Sequence, residues 1–187
     1  MQFYDVIRNR TSVKKFKGDE ISEEKLDNII NAAMMSPSWK NKTSYKFILV
    51  DDNAKKSMIA DCIINETQDA AESVRQAPMT AVIVADPSVS GKLAGREYYL
   101  VDSAIAMEHF ILAATEEGYG TCWIASVDEE LIRQALSIPN NFRVVGLTPI
   151  GISSETKPHN PEKDIKEHVY LNSWNEVYSE NKHKIMS

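Results

Sequence analysis

The run RNRTSVKKFK at residues 8–17 carries Arg8, Arg10, Lys14, Lys15 and Lys17 and no acid, in a chain of 187 residues with a formal net charge of -6. If residues 10–14 are extended, side chains alternate between faces, so Arg10, Ser12 and Lys14 point one way and Thr11 and Val13 the other. A planar guanidinium fork, a hydroxyl and a compact ammonium on one face are donors suited to an anion such as phosphate. Taken alone, such a run also reads as a solvated charged surface. Other chemistry is sparse. Cys62 and Cys122 are far apart with no Cys-x-x-Cys, and His109, His159, His168 and His183 form no spaced ligand set with them, so neither a disulfide nor a metal site is expected. Cys122 has no neighbour in sequence that would activate it and reads as a small buried hydrophobe.

The elements that must position the basic face follow from apolar periodicity. Residues 3–9 read as a short helix. Ser22 can cap a second, with Ile21 and Leu26 at staple positions and Leu26, Ile29, Ile30 and Ala33 on one face; it stops near Ser36, before Pro37. Strands are expected at 45–51, 79–86, 120–126 and 142–153, with helical segments between 53 and 76. Residues 97–117 form the longest helix, apolar on most faces except at Asp102, Ser103, Glu108, His109 and its acidic end, and so fit for the centre of the core or a subunit interface. Asp128 caps a short helix stapled by Val127 and Ile132. After Glu155 the chain is polar until HVYLNSW at 168–174, an arm that docks elsewhere. The pattern is α+β in three layers, with four or five strands and helices around them. It lacks the third glycine of a dinucleotide fingerprint and the first glycine of a phosphate loop.

A 43% hydrophobic composition supports one core, and a single domain over 1–187 is expected, with 155–187 as a C-terminal extension or arm. The acidic balance argues against a nucleic-acid partner. The N-terminus lacks an apolar leader and AIAMEHFILAA is interrupted by Glu108 and His109, so a cytoplasmic protein without membrane attachment is expected.

Four segments in order, RTSVKKF (10–16), SPSWKNKTSYKFILV (36–50), EGYGTCWIASVDEE (117–130) and DIKEHVYLNSW (164–174), resemble the flavin-dependent nitroreductase family over almost the whole chain. The resemblance implies a nitroreductase-like three-layer fold with a central, mostly antiparallel sheet. It also implies a homodimer with C-terminal arm exchange and two shared active sites. FMN would be reduced by NADH or NADPH and reoxidised by a nitroaromatic, quinone or related acceptor in ping-pong fashion, with no catalytic side chain beyond the flavin. Arg10, Thr11 and Ser12 then resemble phosphate and ribityl ligands, and Lys14 the cation beside the flavin pyrimidine.

Pro37, Ser38 and Asn41 match the family's Ala-Pro-Ser-x-x-Asn-x-Gln-Pro-Trp, which covers the flavin from the partner; read alone, Pro37 is a helix stop and Asn41 a turn residue. Thr43, Ser44 and Tyr45 replace its Gln-Pro-Trp. GYGTCWIAS matches Gly-Leu-Gly-x-Cys-Trp-Ile-Gly-Gly, which implies Trp123, Ile124 and Ala125 at the flavin, with the backbone N–H of Ile124 or Ala125 near N5 and Trp123 packing; Ala125 and Ser126 replace two glycines. Lys163, followed by Asp164 where the family has proline, is the candidate C-terminal phosphate ligand or a solvated lysine. The resemblance leaves two alternatives: an FMN storage or sensor module without useful turnover, and a specialised relative for reductive dehalogenation or flavin fragmentation.

Overall fold

The computed structural model describes residues 1–158 and 163–178. Helix α1 (Phe3–Asn9) leads into the extended basic segment, and α2 (Glu23–Met34) follows. Ser22 does occupy the N-cap of α2, but its side chain makes no capping bond; its N–H donates instead to the Tyr119 hydroxyl at 3.0 Å. A loop with one tight turn at Trp39–Asn41 connects α2 to strand β1 (Tyr45–Val50). Then come α3 (Asn53–Asp61), α4 (Asp69–Gln76), β2 (Met79–Ala85), the short α5 (Pro87–Ser90) and a small hairpin of β3 (Lys92–Leu93) and β4 (Arg96–Glu97). The long α6 (Tyr98–Glu116) precedes β5 (Gly120–Thr121), α7 (Glu129–Ala135), β6 (Arg143–Gly151) and α8 (Ile165–His168). Side chains of Asp52 and Asp128 cap α3 and α7, accepting from the N–H groups of Lys55 and Leu131.

The main sheet has the order β1-β2-β6-β5, and every pair in it is antiparallel. Its two faces are both covered, which is why β2 is apolar at every position but Thr80. Along β2, Ala81, Ile83 and Ala85 face a cluster with Ile29 and Ala33 of α2 and Ala106, Met107, Phe110 and Ala114 of α6. The alternate residues Val82 and Val84 face Ile59, Val74, Ile132 and Leu147 under α3, α4 and α7. The molecule is thus three layers, helices on both sides of one sheet. Among the described residues no helix is long and apolar enough to cross a membrane.

The strand expected over 120–126 is shorter. Only Gly120 and Thr121 pair continuously with β6, and the chain touches β6 again at Ile124, opposite Leu147. Between them the Cys122 N–H leaves the ladder and donates to the Thr148 hydroxyl at 3.0 Å. The Trp123 indole meanwhile lies across Gly146, 3.3 Å from where a β-carbon there would stand.

Candidate functional site

The basic segment lies along the outer edge of β5. Ser12 bridges Thr121 in parallel, the Val13 N–H donates to the Thr121 carbonyl at 2.8 Å, and the Lys17 N–H to Ile152 at 2.8 Å. Ser12 is exposed and Val13 buried, as alternation in an extended chain expects; Phe16, three residues on, is buried with Val13 and Ala77, so the strict alternation does not continue past Lys14. Two glycines permit the approach. A β-carbon on Gly120 would stand 2.6 Å from Val13 Cγ2, and one on Gly151 would stand 2.6 Å from the Pro78 ring as well as 3.3 Å from the Phe16 ring. Beneath, the buried Lys56 amine donates to the Ala77 carbonyl at 2.6 Å and supports the floor on which Val13 and Phe16 rest. Burial pushes that amine's pKa down, against the pull of Asp51 and Asp52.

The parallel bridge gives the segment a direction. Passing from Ser12 to Lys14 runs the same way as from Thr121 to Trp123, so Lys14 lies toward Ala125 and Arg10 away from it, about 13 Å apart if fully extended. The Ile124 N–H is taken by the Leu147 carbonyl at 2.9 Å, whereas Ala125 is exposed and its N–H has no partner among the described residues. Of the two backbone donors expected here, Ala125 therefore offers the open one. Burial pushes the Cys122 thiol up, against the pull of Lys14, Lys157 and Arg10.

Lys157 is the residue that motif reading missed. Its amine donates to the Ser12 carbonyl at 2.6 Å and pairs with Glu155 at 3.1 Å. Glu155 in turn accepts the Lys14 N–H at 2.9 Å. That bond, with the help of Lys157 and Lys15, holds the Glu155 carboxyl below the usual carboxylate range. A cavity of about 460 Å³ opens here, lined by Lys14, Lys15, Asp69, Glu72, Glu155 and Lys157 among others. Lys14 reaches Asp69 at 3.4 Å, an exposed pair that holds it only weakly.

Pro37, Ser38 and Asn41 stand elsewhere. Their loop joins β1 at Tyr45, which pairs with Ala85, itself opposite Arg143, while Ser12 adjoins Thr121 opposite Ile150. The β1 end of that loop at Tyr45 and the basic segment at Ser12 thus occupy opposite edges and opposite ends of the sheet, on the order of 30 Å apart at strand spacings. Within the loop the Thr43 N–H donates to Ser38 Oγ at 2.9 Å. Tyr45 and Ser44, two of the three departures from the family pattern, are buried; the Tyr45 hydroxyl meets Ser36 Oγ at 2.6 Å. Of the three, only Thr43 is exposed. Lys163 is exposed ahead of α8. The arm folds on itself, Tyr170 bridging Val177 and leaving Trp174 79% exposed.

Comparison with known proteins agrees with this architecture. The model of the nitroreductase family matches residues 7–152. A crystal structure of a nitroreductase family protein from Clostridium novyi NT superposes with a TM-score of 0.82 at 50% identity, covering 96% of this chain and 98% of that one. An FMN-dependent nitroreductase from Clostridium difficile R20291 superposes with a TM-score of 0.79 at 30% identity, over 90% and 98% of the two chains. A protein of Methanothermobacter thermautotrophicus, provisionally named an NADH dehydrogenase/NAD(P)H nitroreductase, is 26% identical over 178 residues, 93% of this chain and 88% of its own. With the layers, the sheet order and the matched span in agreement, the chain belongs to the nitroreductase family.

Proposed function

We propose that the protein is an FMN-dependent oxidoreductase that takes reducing equivalents from NADH or NADPH and passes them to a small acceptor such as a nitroaromatic or quinone. The observation that carries this reading is the convergence, along one sheet edge, of Arg10, Ser12 and Lys14 with Lys157 and the unpartnered Ala125 N–H. That donor set suits FMN: cations and hydroxyls for a phosphate and ribityl chain at one end, and an ammonium and a backbone N–H for a flat heteroaromatic ring at the other. The flavin supplies the hydride chemistry when bound. Arg10, Thr11 and Ser12 would hold the phosphate end, Lys14 the pyrimidine edge, Ala125 the ring's central edge and Trp123 the packing beneath. Lys163, at the head of the arm, is a further candidate for the phosphate.

Pro37, Ser38 and Asn41 lie too far from Arg10 in the same chain to share a site with it, which supports a homodimer in which each site joins the basic segment of one subunit to the 36–44 loop of the other. We read 1–187 as one domain with 155–187 as a C-terminal extension or arm: Glu155 and Lys157 at its start bond to this chain's own basic segment, and 164–174 is the part that reaches a partner, an assignment the exposed Trp174 supports. The test is direct. Purified protein is expected to be yellow and to release FMN on denaturation. Anaerobic NADH or NADPH is expected to bleach it, and added acceptor to restore the colour, with parallel initial-rate lines at varied acceptor. No flavin after reconstitution with excess FMN would refute the reading, and intersecting lines would refute the ping-pong order. A storage or sensor module would be reduced poorly or reoxidise no faster than a blank.

A further inference from the structure

Asp102, in the second turn of α6, is 2% exposed. Its Oδ1 accepts the backbone N–H of Trp39 at 2.7 Å, and its Oδ2 the hydroxyls of Ser90 at 2.9 Å and Ser44 at 3.4 Å. Among the described residues no cation joins this set, so neutral donors alone satisfy a buried carboxylate, and they come from two separate segments, the 36–44 loop and α5. The Trp39 indole stacks on Tyr98 of the same helix at 3.8 Å and 17°, with the Lys40 ammonium 5.7 Å from its ring centroid. The loop so anchored is strained. Lys40, Asn41 and Thr43 have φ of 51, 55 and 46°, a left-handed region that side-chain-bearing residues avoid and that is least tolerable for β-branched threonine. Such a run persists only where surrounding structure holds it.

We propose that Asp102 is a positioning residue for the acceptor side of the site. Its bond to the Trp39 N–H latches the 36–44 loop, and the latched loop decides which acceptors fit against it. This rests on the reading above, in which the loop closes the partner's site. The mechanism is local: the carboxylate offsets the cost of the strained run, and the indole stack sets the direction in which Ser38 and Asn41 emerge. Asparagine at 102 keeps an acceptor for the Trp39 N–H, whereas alanine leaves that half-buried N–H without its protein acceptor.

The test uses full-length, FMN-loaded protein as Asp102→Ala and Asp102→Asn. Brief trypsin treatment reads the loop itself through cleavage after Lys40 and Lys42. Asp102→Ala is expected to be cleaved there at least about tenfold faster than the parent and to change the ratio of acceptor kcat/KM between a nitroaromatic and a benzoquinone by a similar factor, while Asp102→Asn stays near the parent in both. Thr43→Gly added to Asp102→Ala is expected to recover part of the loss, because glycine adopts the left-handed conformation freely. If Asp102→Ala does not fold, Asp102→Ser, too short to reach Trp39, takes its place. Equal cleavage and an equal acceptor ratio in all variants overturn the proposal, as does equal damage from alanine and asparagine. A parent that takes up no FMN overturns the reading of the site instead, and the cleavage rates then decide the latch by themselves.

Discussion

Lys14 and Arg10 share a charge and a segment, yet their removal is expected to produce different losses. Lys14 lies toward the Ala125 end, where, on the proposed reading, reduction of a bound flavin would leave negative charge, so its ammonium would favour the reduced state over the oxidised. A pair of unit charges about 4 Å apart at an effective dielectric of 20 interacts by roughly 4 kcal/mol, an upper bound because the flavin charge is spread and solvent enters. Lys14→Met is therefore expected to lower the flavin midpoint potential and slow reduction with FMN still bound, and Arg10→Met to raise the FMN dissociation constant. Potentiometry and flavin fluorescence read the two, and an unchanged potential in Lys14→Met would remove Lys14 from the ring. Away from the site, Glu129 grips Arg143 with both oxygens, at 2.7 and 2.8 Å, and also accepts the Val144 N–H. The Arg143 bond, above all, holds its carboxyl below the ordinary value of 4.5. Because the folded value is the lower one, this stabilisation is complete above the ordinary value and is lost as pH falls through the folded one. Glu129→Gln is expected to cost up to about 1 kcal/mol at neutral pH and to flatten the acid side of the melting-temperature profile. Lys157 shows what residue-level reading lacks: it acts on Ser12, 145 positions away, and no local spacing announces such a partner.

At the scale of elements, the fit of the basic segment to the sheet edge depends on Gly120. A methyl there would meet Val13, a buried residue whose own backbone is bonded to Thr121. Gly120→Ala is expected to destabilise the fold by about 1–3 kcal/mol through overpacking and to weaken FMN retention as residues 10–14 shift. Calorimetry together with flavin release checks both, and retention of FMN at parental strength would separate the segment from the cofactor. The helices and long strands were legible because their signals are local: α2, α6 and α7 carry apolar faces at helical spacing, and β2 is an apolar run long enough to need cover on both faces. The 120–126 stretch was not, since its interruption comes from the Thr148 hydroxyl and from Gly146, which receives the Trp123 indole, both on a strand more than twenty residues away. Asp102 was read as a polar break in an apolar helix; only the fold brings Trp39, Ser44 and Ser90 to it.

For the whole molecule the first expectation is a dimer. Met35, Leu100 and Val101 remain exposed, as does Trp174 of the arm, and interfaces of obligate pairs commonly exceed about 2,000 Å². Light scattering that finds a 21.1 kDa particle still carrying FMN would refute it. The placement of the two motif groups at opposite corners of one sheet has a genetic consequence. A variant crippled in the basic segment and one crippled in the 36–44 loop would each be inactive alone. Yet a mixed pair would combine the sound segment of one chain with the sound loop of the other at one of its two sites. Co-expressing the two dead proteins would then restore about a quarter of the parental sites, half of all pairs being mixed and half of their sites whole. Two mutations within the same corner would give no such rescue, so a simple plate of pairwise crosses would map every residue to one or the other half of the composite site.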